Sequence, residues 1–157
     1  MIKPASISTL RKELALLPAK ELSVLCLRLA KYSKENKELL SYLIFDAENE
    51  EEFIKNVKLL IAAQFAEINT THMFYIRKSI RKILKTVNKY IRYSGQKNTE
   101  VELLLFFCQT LKASGIRFQQ TTSLANLYQN QVNKIKKALA TLHEDLQFDY
   151  KQEVEKL

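Results

Sequence analysis

Apolar residues return every three or four positions along most of this chain, the period of helices that bury one face. The clearest case is Met73 to Arg92, MFYIRKSIRKILKTVNKYIR. Ile76, Ile80, Ile83, Leu84, Val87, Tyr90 and Ile91 fall, at 100° per residue, within a sector of about 120°. Arg77, Lys78, Arg81, Lys82, Lys85, Lys89 and Arg92 fall in the opposite sector, and no Asp or Glu interrupts either face. Like charges four residues apart repel by a few tenths of a kcal/mol per pair. Burial stabilises by about 1.5–3 kcal/mol per large side chain, so the apolar stripe outweighs the repulsion and the helix forms. It stops at Ser94-Gly95, where glycine can take the left-handed conformation that ends helices.

The same period predicts the other elements. Ser6 or Ser8 can cap a short helix through Leu17, with Leu10, Leu14 and Leu17 on one side. Pro18 ends it and opens a second helix to Tyr32. Leu22, Val24, Leu25, Cys26, Leu27 and Leu29 make that helix apolar nearly all round, so burial on several sides is expected. Ser33 can cap a third helix, 34–48, buried through Leu39, Leu40, Tyr42, Leu43, Ile44 and Phe45. Asn49 followed by three glutamates is a capping box with acids that complement the helix dipole. It starts a fourth helix with the stripe Ile54, Val57, Ile61, Phe65 and Ile68. Asn69, Thr70 and Thr71 supply caps for the basic helix. Thr99 with Glu102 reads as another capping box, opening a helix 101–114 whose LLLFFC run makes it the expected central helix. From Thr121 or Thr122 onward the stripe Leu124, Tyr128, Val132, Ile135, Leu139, Leu142, Leu146, Tyr150, Val154 and Leu157 reaches the end without Gly or Pro. This is a long packed helix, or two with a bend near 143–147, or an arm that packs on a second subunit as a homodimer through residues 122–157.

Composition agrees with an all-α fold of seven or eight helices, arranged as a bundle or a short stack of hairpins. Two Gly and two Pro in 157 residues are too few for the tight turns of a sheet protein. The length reads most simply as one domain, 1–157. The start MIKPASIS lacks the apolar stretch of a secretory signal, and the longest apolar run, Leu103 to Cys108, is far short of a membrane span. Cys26 and Cys108 lie in apolar helical segments and read as reduced core thiols of a cytoplasmic protein.

Charge sharpens the picture. The net charge is +8, but residues 70–137 alone carry 13 basic and 2 acidic side chains, a net of +11. Residues 1–69 balance at zero, and residues 138–157 carry a net of −3. The basicity belongs to the segment centred on the Met73–Arg92 helix.

Catalytic and cofactor chemistry finds no support. His72 and His143 are the only histidines, far apart, without HExxH, CxxC or calcium-loop spacing, so neither a metal nor a cofactor is expected. The two S-x-x-K matches, at Ser79 and Ser94, lack their companion motifs, and two glycines cannot build a phosphate-binding loop. A non-catalytic protein is expected.

The basic face remains. Arg77, Lys78, Arg81, Lys82, Lys85, Lys89, Arg92 and Lys97 could neutralise a row of phosphates, nucleic acid first. Phe74, Tyr75, Tyr90 and Tyr93 could add stacking near the helix ends. Three other readings compete: a solvated face, a membrane surface, and an intramolecular partner in the acidic start of the fourth helix or the acidic C-terminus. Self-association through the C-terminal helix is the alternative function.

A faint internal echo sets Lys31-Tyr32-Ser33 with Glu38-Leu39-Leu40 beside Arg92-Tyr93-Ser94 with Glu102-Leu103-Leu104. Phrases such as LRLAKYSKENKELLSYLIF, within an all-helical layout, resemble small uncharacterised helical proteins of bacteria. The resemblance covers mainly the first half of the chain and implies an all-α fold without a function.

Overall fold

The computed structural model describes residues 3–157, and among them there are eight α-helices and no strand. They are α1 (Ile7–Ala15), α2 (Ala19–Tyr32), α3 (Lys34–Ser41), α4 (Glu50–Ala66), α5 (Met73–Ser94), α6 (Lys97–Ala113), α7 (Thr122–Leu139) and α8 (Glu144–Glu155). The all-α class read from the sequence is the one observed. No helix among the described residues is long and apolar enough to cross a membrane. The chain, which reads most simply as one domain, divides into two compact units, Met1–Phe45 and Asp46–Leu157.

The first unit is a hairpin of α2 on α3 preceded by α1. Its caps form as the sequence predicts. Ser6 Oγ accepts from Thr9 N at 3.1 Å, and Ser33 Oγ accepts from Asn36 N at 3.1 Å. Its burial does not. Val24, Leu27 and Leu29 are 60%, 54% and 62% exposed, Leu25 and Cys26 are exposed, and only Leu22 of that set is half-buried. The reason is geometric. A helix that is apolar all round needs neighbours all round, and α3 covers only one side of α2. The third helix is also shorter than expected. It gives way after Ser41 to a π-helical turn, Tyr42–Asp46, which buries Tyr42 and leaves Leu43, Ile44 and Phe45 exposed.

The second unit has a true core. Helices α4, α5 and α6 pack on one another, α7 packs on α6, and α8 packs on α7. Ile54, Val57, Ile61 and Phe65 of α4 meet Ile76, Ile80, Ile83 and Val87 of α5, all buried. Helix α6 is central, as LLLFFC predicts: Leu103, Leu104, Leu105, Phe107 and Cys108 are buried. The Phe65 and Phe107 rings lie 5.6 Å apart. Cys108 is fully buried, so one of the two expected core thiols is in the core, and burial pushes its thiol pKa up to about 12.

Two boundaries differ from the sequence reading. Helix α6 begins at Lys97 rather than Val101, so Thr99 is no cap. Gly95, at φ +67°, ends α5 and turns the chain back quickly enough for α6 to start two residues later. Thr99 is fully buried, and its hydroxyl donates to Glu50 Oε1 beside that of Ser94. One carboxylate at the start of α4 thereby gathers the end of α5 and the start of α6. The C-terminal stripe is two helices, broken at 140–143 just before the expected bend, where Thr141 Oγ1 donates to Ala138 O at 2.6 Å and His143 Nδ1 accepts from Asp145 N at 3.3 Å.

Candidate nucleic-acid interface

Helix α5 lays its apolar stripe against α4 and α6 and turns the other face outward. Lys78, Arg81, Lys82, Lys85 and Arg92 are exposed, and Arg77 is half-buried. No carboxylate among the described residues lies within ion-pair distance of these six cations. Glu67 shares a recess of about 150 Å³ with Lys82 without pairing to it. The other two predicted site residues differ. Lys89 is half-buried, with its ammonium 4.8 Å from the centre of the Tyr90 ring and 5.9 Å from that of Tyr93, a cation–π arrangement. Lys97 stands on α6 and pairs with Glu100 at 2.6 Å, so its charge is offset locally.

Several carboxylates of the acidic segments have partners other than these six cations. Glu50 holds Ser94 and Thr99, and Glu52 pairs with Lys55 at 3.5 Å. Towards the C-terminus, Glu153 accepts from Gln109 Nε2 at 2.9 Å and Asp145 lies 3.3 Å from His143. The row Arg77, Lys78, Arg81, Lys82, Lys85 and Arg92 therefore presents a positive edge. From Arg77 to Arg92 it runs about 22 Å at 1.5 Å per residue.

The aromatic residues divide. Tyr93 is buried and Tyr90 is half-buried, edge-on to Phe53 and Tyr93 at 6.0 and 5.7 Å, so both belong to packing. Phe74 and Tyr75, at the other end of α5, are 62% and 45% exposed. Phe74 stands three residues before Arg77 and four before Lys78, which places it on the basic face. The Phe74 and Tyr75 rings meet edge-on at 5.6 Å, and the His72 ring lies 6.1 Å from Tyr75. An Asn69 turn leads into this cluster, its Oδ1 accepting from Thr71 N at 2.9 Å and from Thr71 Oγ1 at 2.6 Å.

A polar cluster that sequence reasoning missed lies on the α4–α6–α8 side. Lys58 Nζ donates to Glu102 Oε2 at 2.6 Å, and Tyr150 Oη donates to Glu102 Oε1 at 2.9 Å. Tyr150 Oη also lies 2.9 Å from Asn98 Oδ1. Burial, and then the hydrogen bond to Glu102, raise the Tyr150 pKa. Burial likewise raises that of Tyr128, whose hydroxyl donates to Leu157 O at 2.9 Å. Both shifts favour the protonated phenol, the form that holds α8 in place. A groove of about 440 Å³ beside this cluster is lined by Ile54, Lys58, Leu59, Glu102 and Phe106 among others. Spacings of 44 and 48 residues carry no local pattern, so these partners could not be read from the chain.

Two further placements bear on function. The described residues hold no cluster of three or more metal-ligating side chains. The α7 stripe offered to a second subunit is taken up inside the same unit, with Leu124, Tyr128, Val132 and Ile135 buried. Comparison with family models, curated proteins and solved structures returns no match for this chain.

Proposed function

We propose that this protein binds an anionic polymer, nucleic acid first, along the outer face of α5. The observation that carries the reading is the row of six cations without an ion-pair partner among the described residues, on a helix whose other face is fixed in the core. About 22 Å of helix spans roughly six phosphates along one strand of a duplex, at about 3.4 Å of its axis each. The contacts are to backbone, so affinity is broad in sequence and salt-dependent. If four to six cations meet phosphates of a single strand, log Kobs falls against log salt with a slope of about −3 to −4, at about 0.7 per contact. Fluorescence anisotropy of a labelled oligonucleotide across a salt series measures this. A slope shallower than about −1 contradicts it.

A second reading, self-association, draws on the first unit. Twelve large apolar side chains between Ile7 and Phe45 are more than a third exposed. The occupant is a second copy. Helix α1 makes no substantial packing with another helix, yet carries Ile7, Leu10 and Leu14 at three- and four-residue steps. The α2–α3 hairpin offers an apolar groove of about 310 Å³ lined by Cys26, Leu29, Ala30, Leu39, Leu40 and Leu43, with Asn36. Ridge and groove on one unit meet the self-complementarity that a two-fold interface requires. Light scattering on the full chain should report a dimer, returned to monomer by Leu10→Lys with Leu14→Lys. A monomeric parent at micromolar concentration excludes it.

A further inference from the structure

We infer that the polymer bound along α5 is single-stranded, with bases stacked on Phe74 and Tyr75 and the backbone running over Arg81, Lys85 and Arg92. This rests on the anion-binding reading and adds to it the class of nucleic acid. The ground is a contrast among aromatic residues. Phe53, Phe65, Tyr93, Phe107, Phe118 and Tyr128 are buried, Tyr90, Phe106 and Tyr150 are half-buried, and Phe148 is exposed but stands on α8, not on the helix of the cation row. Phe74 and Tyr75 are the exceptions on α5, and they stand at one end of the cationic row.

The chemistry of that juxtaposition is selective. A duplex presents phosphates on its outside and closes its base faces into the stack, so exposed rings beside a cation row gain nothing from it. A single strand presents every base face, and stacking on an aromatic side chain contributes about 1–3 kcal/mol per base. Arg77 and Lys78, one turn from Phe74, are placed to hold the phosphates that flank a stacked base. The opposite end of the helix lacks this property, because Tyr90 and Tyr93 are engaged with Phe53, with each other and with Lys89. Stacking therefore occurs at the start of α5 alone, and the strand has one anchored end.

The test compares four probes of equal length and equal label: oligo(dT), oligo(U), a DNA duplex and an abasic phosphodiester of the same charge. Oligo(dT) and oligo(U) should bind on the order of tenfold or more tighter than the abasic strand. Phe74→Ala with Tyr75→Ala should erase that difference while leaving the abasic affinity in place. The ratio of oligo(U) to oligo(dT) then tells RNA from DNA. The chain has no tryptophan, so Phe74→Trp gives a single reporter whose emission should be quenched by oligo(dT) and left unchanged by the abasic strand. If the abasic strand binds as tightly as oligo(dT), or the duplex binds more tightly, the single-strand inference fails and the anion-binding reading stands. If no probe binds at low salt, both fail.

Discussion

Replacing Arg77, Arg81 and Lys85 together by glutamate is expected to abolish oligonucleotide binding, a loss on the order of a hundredfold or more at low salt. The three reversals take the seven-cation face of α5 from +7 to +1 and put three like charges against the phosphates. The fold should survive, because these side chains point away from the stripe of Ile76, Ile80, Ile83 and Val87. Exposed substitutions of this kind stay within about 0.5 kcal/mol each. Arg77 is half-buried, and its stem also covers apolar surface. The pair Arg81→Glu and Lys85→Glu therefore repeats the experiment without that contact. Anisotropy titration gives the binding, and circular dichroism with a melting curve gives the fold. A triple variant that binds like the parent removes the α5 face from consideration.

The second large effect is on stability. Phe107→Ala should cost about 3–5 kcal/mol, the usual loss for a buried phenylalanine. Phe107 is fully buried on the central helix, and Phe65 lies against it. A domain has only about 5–15 kcal/mol in hand, so the urea midpoint should fall by at least about 1 M. Phe106→Ala is the control. Phe106 is the preceding residue but only half-buried, on the α4–α6 groove where Lys58 Nζ sits 5.9 Å from the centre of its ring. It should cost markedly less. Equal losses from the two variants would mean that α6 does not bury the face described.

These two residues show what the chain made legible. Periodicity tells Phe107 from Phe106 only once the helix has neighbours, and the second unit supplies them. There the stripes of α4, α5 and α7 and the apolar run of α6 are buried much as spacing dictates. In the first unit the spacing is as good, yet of its described residues only Tyr42 is buried. Hydrophobicity states that a face needs a partner, and it does not state that one is present. Cys26 and Cys108 make the same point, both apolar in context, one exposed and one in the core. Thr99 and Glu102 satisfy a capping signature, yet the distant partners Glu50, Lys58 and Tyr150 claim both side chains. Of the proposed binding face, the sequence shows which cations share a sector. It does not show which aromatics stay outside, because Tyr75 and Tyr93 share one helical angle and differ only in what packs on them.

Each helix of the second unit packs on a neighbour one or two places along the chain, α4 on α5 and α6, α5 on α6, α6 on α7, α7 on α8. Such an order keeps most contacting residues close in sequence, so little loop-closure entropy stands in the way of assembly. Domains built from local contacts fold in microseconds to milliseconds. Most of the helix packing in Asp46–Leu157 is of that kind, with α4 on α6 its one step over an intervening helix.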